Sequence, residues 1–92
     1  MTKLNIVFSN QFKRDLKLIR KRGYNFELME SVVEKLAKME TLPDKFRDHA
    51  LTGDYIGFRE CHIQPDWLLV YRMDGEELIL FLSRTGTHSD LF

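Results

Sequence analysis

Residues 74–82, Asp-Gly-Glu-Glu-Leu-Ile-Leu-Phe-Leu, constrain the fold more than any other stretch of this chain. Asp-Gly suits the positive backbone angles of a tight hairpin turn. Leu78-Ile79-Leu80-Phe81-Leu82 has no polar position that a solvated sheet face would require, so it reads as a central strand covered on both faces. Elements must therefore pack against this sheet from two sides. Strands are expected at about 55–62, 67–73 and 77–84, the last two joined through Asp74-Gly75.

The N-terminal half supplies the packing. Leu4, Ile6 and Phe8 alternate with Asn5 and Val7, as in a strand over 3–8. Ser9 or Asn10 can cap a helix running to about Arg22, and Gly23 can stop it. Phe12, Leu16 and Ile19 share one face of that helix. Asn25 can cap a second helix, to about Glu40, with Phe26, Met29, Val32, Val33, Leu36 and Ala37 on its apolar face. Glu34 and Lys38 pair at i,i+4. Pro43 should end it, and Met29, Met39 and Phe26 read as core filling. Residues 43–54 read as a loop. The order is βααβββ: a single α+β domain over 1–92, a helical hairpin lying on an antiparallel sheet.

Composition narrows the setting. One cysteine cannot form an internal disulfide, which points to a reducing compartment. No apolar run approaches the roughly 20 residues of a membrane span, and the N-terminus does not resemble a signal peptide. A cytoplasmic protein with no membrane partner is expected. Net charge is zero, but it is unevenly spread. Residues 10–22 hold six cations against Asp15, a local +5, whereas residues 61–92 hold two cations against five carboxylates, a local −3. Lys13, Arg14, Lys17, Arg20 and Lys21 fall in an arc of about 120° on the first helix. Such a stripe either holds nucleic-acid phosphates or is a solvated face.

The reactive side chains gather late. His49, His62 and His88 all lie in the second half, none in a helical pattern, with Asp66, Trp67, Arg84 and Phe92 near two of them. Proton carriers working near pH 7, a fixed cation and aromatic rings suit metal-free acid–base chemistry on a phosphodiester. Each has a bland counterpart. His62 could satisfy a turn, His49 could be solvated, His88 could belong to a frayed tail, Trp67 could be core, and Arg84 could partner Asp66. The histidine spacings of 13 and 26 residues match no common zinc pattern. A two-residue turn at Asp74-Gly75 sets Asp66 opposite Ser83 and Pro65 opposite Arg84; a three-residue turn sets Asp66 opposite Arg84. Either way Asp66, Trp67 and Arg84 meet at one end of the sheet.

Three segments carry a family likeness: Asp48-His49-Ala50-Leu51-Thr52-Gly53, Gly57 through Tyr71 with its Glu60-Cys61-His62-Ile63-Gln64-Pro65-Asp66-Trp67 core, and Arg84-Thr85-Gly86-Thr87-His88-Ser89-Asp90-Leu91-Phe92. Together they resemble the YafQ-type toxins of the RelE/ParE superfamily of bacterial type II toxin–antitoxin systems. The resemblance implies a RelE-like, microbial-ribonuclease-type fold. It also implies a ribosome-dependent mRNA endoribonuclease, neutralised by a cognate antitoxin. From the residue chemistry itself, no cofactor is expected. The carried-over functional positions are His49, His62, Asp66, Trp67, Arg84, His88 and Phe92. Of these, His49, His62, Asp66, Arg84 and His88 are expected to be catalytic, and Trp67 and Phe92 to stack bases. The basic stripe is expected to hold RNA, and the toxin alone to be a monomer. Cys61 matches no functional position and reads as a buried filler. Two other classes remain open: a toxin of the same fold that binds a protein target such as gyrase, and an RNA-binding module without turnover.

Overall fold

The computed structural model describes residues 3–92. Its elements are β1 (Asn5–Phe8), α1 (Asn10–Lys21), α2 (Phe26–Ala37), β2 (His49–Ala50), β3 (Arg59–Gln64), β4 (Trp67–Asp74), β5 (Ile79–Gly86) and α3 (His88–Leu91). One five-stranded sheet has the order β1-β5-β4-β3-β2. The α+β class and the helical hairpin agree with the expected architecture. The sheet is antiparallel except at β1, which runs parallel to β5 (Ile6↔Leu80, Phe8↔Leu82).

Local chemistry explains the helix starts. The Ser9 hydroxyl accepts from the Phe12 N–H at 2.9 Å, and the Asn25 side chain from the Glu27 N–H at 3.0 Å. Gly23 follows α1 at φ 74°, as a helix stop requires. The end of α2 departs from expectation. The helix stops at Ala37, well before Pro43, because Met39 turns into the left-handed region at φ 62° and the Glu40 N–H reaches back to the Lys35 carbonyl at 2.9 Å. Met39 is exposed and fills no core, whereas Met29 does. The 43–54 loop has structure of its own: 3₁₀ turns at Asp44–Phe46 and Gly53–Tyr55, with β2 between them.

The strand covered on both faces is β4 rather than β5. Trp67, Leu68, Leu69, Val70 and Tyr71 are all buried. Trp67, Leu69 and Tyr71 face the helices, in a core with Phe12, Ile19, Val32 and Leu36. Leu68 and Val70 face the other way, under Leu91, Leu51, Tyr55 and Phe58. Of the 78–82 run only Leu80 and Leu82 are buried, and Leu78 is an exposed turn residue at φ 56°. The second face is thus roofed by the 51–58 segment and α3. Cys61 is fully buried, and burial pushes its thiol well above the usual range, consistent with a filler.

Gly86 marks where the tail turns off the sheet. Its φ is +154°, and an added Cβ would lie 2.8 Å from Asp90 Oδ2. Gly86→Ala should therefore loosen α3, seen as faster amide exchange at Leu91 and Phe92. Unchanged exchange there would show that the tail absorbs the methyl group.

Candidate active site

A single cross-strand row organises the second face. His49 is the register partner of Glu60, Glu60 of Val70, and Val70 of Arg84. With strands about 4.8 Å apart, the row spans roughly 14 Å from His49 to Arg84. The next row on the same face joins His62, Leu68 and Gly86.

Arg84 belongs to this row because of a bulge. Tyr71 pairs with Leu82 but Val70 pairs with Arg84, leaving Ser83 as an extra residue. Strict alternation after Leu80 and Leu82 would have aimed position 84 at the helical core. The extra residue turns it to the face of Val70 and sends Thr85 inward, where it is buried. The same bulge, with a hairpin closing at Asp74↔Ile79, overturns the expected register. Asp66 does not meet Arg84. Its carboxylate accepts instead from the His88 N–H at 3.2 Å and from His88 Nδ1 at 3.1 Å. These bonds hold the Asp66 carboxyl below its usual range.

His88 starts a short helix and is not frayed. The Thr87 hydroxyl and Asp90 carboxylate form a reciprocal cap, and Leu91 is buried. Asp90 is also gripped by Arg22 at 2.6 and 3.0 Å, which ties the tail to the end of α1 and depresses the Asp90 carboxyl strongly. The His88 ring lies 5.8 Å from that of His62, centroid to centroid.

Hydrogen bonds orient the other two imidazoles. His49 Nδ1 lies 2.7 Å from the Arg47 carbonyl and His62 Nδ1 3.2 Å from the Pro65 carbonyl. A carbonyl only accepts, so each Nδ1 carries the proton and each Nε2 is left for chemistry. Both Nε2 atoms approach Glu60 Oε1, at 3.7 Å for His49 and 3.6 Å for His62. Glu60 is only 5% exposed. Sequence reasoning passed over it, although Glu60 and His62 at i,i+2 on one strand must share a face.

Glu60, His62 and His88 also each offer an atom within 4.8 Å of the others. Histidine spacing did not expose this set because one member is a carboxylate. Three converging N/O donors fit a divalent transition-metal ion.

Trp67 is corrected from stacking residue to core. It is 1% exposed, its Nε1 donates to the Thr85 hydroxyl at 2.9 Å, and Tyr24 packs on its edge. Phe92 is 60% exposed, with its ring edge-on to Tyr55 at 5.5 Å. The stripe residues Lys13, Arg14, Lys17, Arg20 and Lys21 are all exposed on α1; Arg20 lies over Phe26 and Arg14 bonds Gln11. Beside His62 a groove of about 430 Å³ runs past Gln64, Pro65, Lys45, Phe46 and Arg47.

Residues 4–92 match the family described as bacterial toxin of type II toxin–antitoxin system, YafQ. The chain belongs to the YafQ toxin family. It is 34% identical over 93 residues to the mRNA interferase toxin YafQ of Escherichia coli K12, spanning 100% of this chain and 99% of that one. Among solved structures, a metal-bound toxin from Helicobacter pylori is 46% identical with a TM-score of 0.91, covering 97% of this chain and 99% of that chain. The E. coli DinJ–YafQ toxin–antitoxin complex superposes with a TM-score of 0.88 at 34% identity, over 98% of both chains. Among the described residues no helix is long and apolar enough to cross a membrane.

Proposed function

We propose that this YafQ-family toxin is an endoribonuclease that cuts messenger RNA held on the ribosome, in the cytoplasm, and is silenced by a cognate antitoxin. What carries this reading is the convergence on one face of three histidines, Glu60 and Arg84, with Asp66 orienting His88. RNA supplies its own nucleophile, the 2′-OH. His62, its Nε2 beside Glu60, takes the 2′ proton, with His49 in support across the same carboxylate. His88, with its Nδ1 bonded to Asp66, presents Nε2 to the leaving 5′ oxygen. Arg84 offsets charge on the phosphorane, and Phe92 stacks a base. The products are a 2′,3′-cyclic phosphate and a 5′-OH.

A cation held by Glu60, His62 and His88 would supply positive charge to the phosphate. Here His62 and His88 move protons instead, so protein stripped of metal is expected to cut at its full rate. The direct test is a message with 2′-deoxy at the scissile nucleotide. It should resist cleavage, and cutting there would sink the 2′-OH mechanism.

The stripe on α1 is the proposed hold on RNA phosphates, away from the reacting atoms. Lys17→Glu with Lys21→Glu should weaken ribosome binding and flatten its salt dependence, because fewer counterions are released. The rate on fully bound complex should barely change. Unchanged affinity at two salt concentrations would reduce the stripe to a solvated face.

A further inference from the structure

Asp15 falls among the basic residues of α1 in sequence, but it lies on the opposite face from the stripe, beside Phe12 and Ile19, and is only 7% exposed. Its carboxylate receives four hydrogen bonds: Arg84 Nε at 2.9 Å, Arg84 Nη2 at 3.2 Å, the Thr85 N–H at 3.1 Å and Gln11 Nε2 at 3.1 Å. That fills about the four lone-pair positions a carboxylate offers. The topology explains why an acid is needed there. β1 ends at Phe8, opposite Leu82, so beyond that point the outer edge of β5 has no neighbouring strand. The Ser9 hydroxyl takes up the Ser83 carbonyl at 2.7 Å, and Asp15 takes up the Thr85 N–H. The bulged residue and Arg84 are thereby fixed from the side of α1.

We propose that Asp15 is the positioning residue for Arg84, holding the guanidinium side-on through Nε and Nη2 so that its outer edge is presented to the scissile phosphate. Asp15 engages Nε and Nη2, and the Tyr55 phenol lies beside the same guanidinium. A guanidinium gripped along one edge keeps a second pair of donors, from Nη1 and Nη2, for two phosphate oxygens. Asp15 gives up part of the cation's charge to remove its rotamer freedom before RNA arrives. The inference rests on the proposed nuclease reading, in which Arg84 touches the phosphorane.

A double-mutant cycle tests it. Single-turnover cleavage of ribosome-held message and ribosome affinity are measured for wild type, Asp15→Asn, Arg84→Ala and the double variant. Asp15→Asn should slow cleavage roughly 10- to 100-fold at saturation, with affinity within about twofold of wild type, the scale at which a misplaced group costs rate. In the Arg84→Ala background it should cost nothing further. Equal slowing in both backgrounds, or wild-type cleavage by Asp15→Asn, overturns the assignment. If Arg84→Ala cuts like wild type, the role of Arg84 itself falls. Should Asp15→Asn fail to fold, the Arg84 Nε–H resonance of the wild-type protein decides. A distinct, slowly exchanging signal is expected, and a rapidly exchanging one defeats the clamp.

Discussion

His88→Ala is expected to slow single-turnover cleavage at least about a hundredfold while leaving the fold intact, the scale of losing one positioned acid or base. The fold survives because α3 does not depend on the imidazole. Its backbone N–H keeps its bond to Asp66, the Thr87–Asp90 cap is untouched, Leu91 stays buried, and Arg22 still grips Asp90. The losses are the Nδ1 bond to Asp66, between side chains that are 58% and 68% exposed, and the ring contact with His62. A folded His88→Ala protein that cleaves at nearly the wild-type rate would remove His88 from the mechanism.

Trp67→Ala should be the most destabilising single change among the residues expected to serve the site. Truncating a fully buried Trp costs about 3–5 kcal/mol, a large share of the roughly 5–15 kcal/mol that holds a domain together. The Thr85 hydroxyl also loses its indole donor. For a domain of this size the melting temperature should fall by at least about 12 °C. A stacking role predicts the opposite pattern: a variant with wild-type melting that binds RNA weakly. That pattern would return Trp67 to the RNA interface.

These two residues also show where sequence reading succeeds and where it stops. Local signals were sound. Ser9 and Asn25 cap the helices, Gly23 ends the first, and the strands on either side of Asp74 form the hairpin. What failed depends on one inserted residue or on distant partners. The extra Ser83 flips every side chain after it, so Arg84 and Asp66 could not be paired by counting back from the turn. Nothing near Trp67 in the chain reports that Thr85 and Tyr24 will enclose it. Asp15 lies 69 positions from its partner Arg84 and looked like a lone acid among lysines. Glu60 was legible, since strand alternation alone places it beside His62.

The pairing of β1 with β5 sets the order in which this protein comes into being. Ile6 waits for Leu80, Asp15 for Arg84, and Arg22 for Asp90, all of which are translated near the end of the chain described here. Contacts so distant in sequence are slow to form, because a long loop must close before any of them is rewarded. A growing chain can wind its two helices early, but it cannot yet assemble Arg84 with Asp15 or bring His88 to Asp66. By this route the proposed site assembles only once β5 and α3 have emerged.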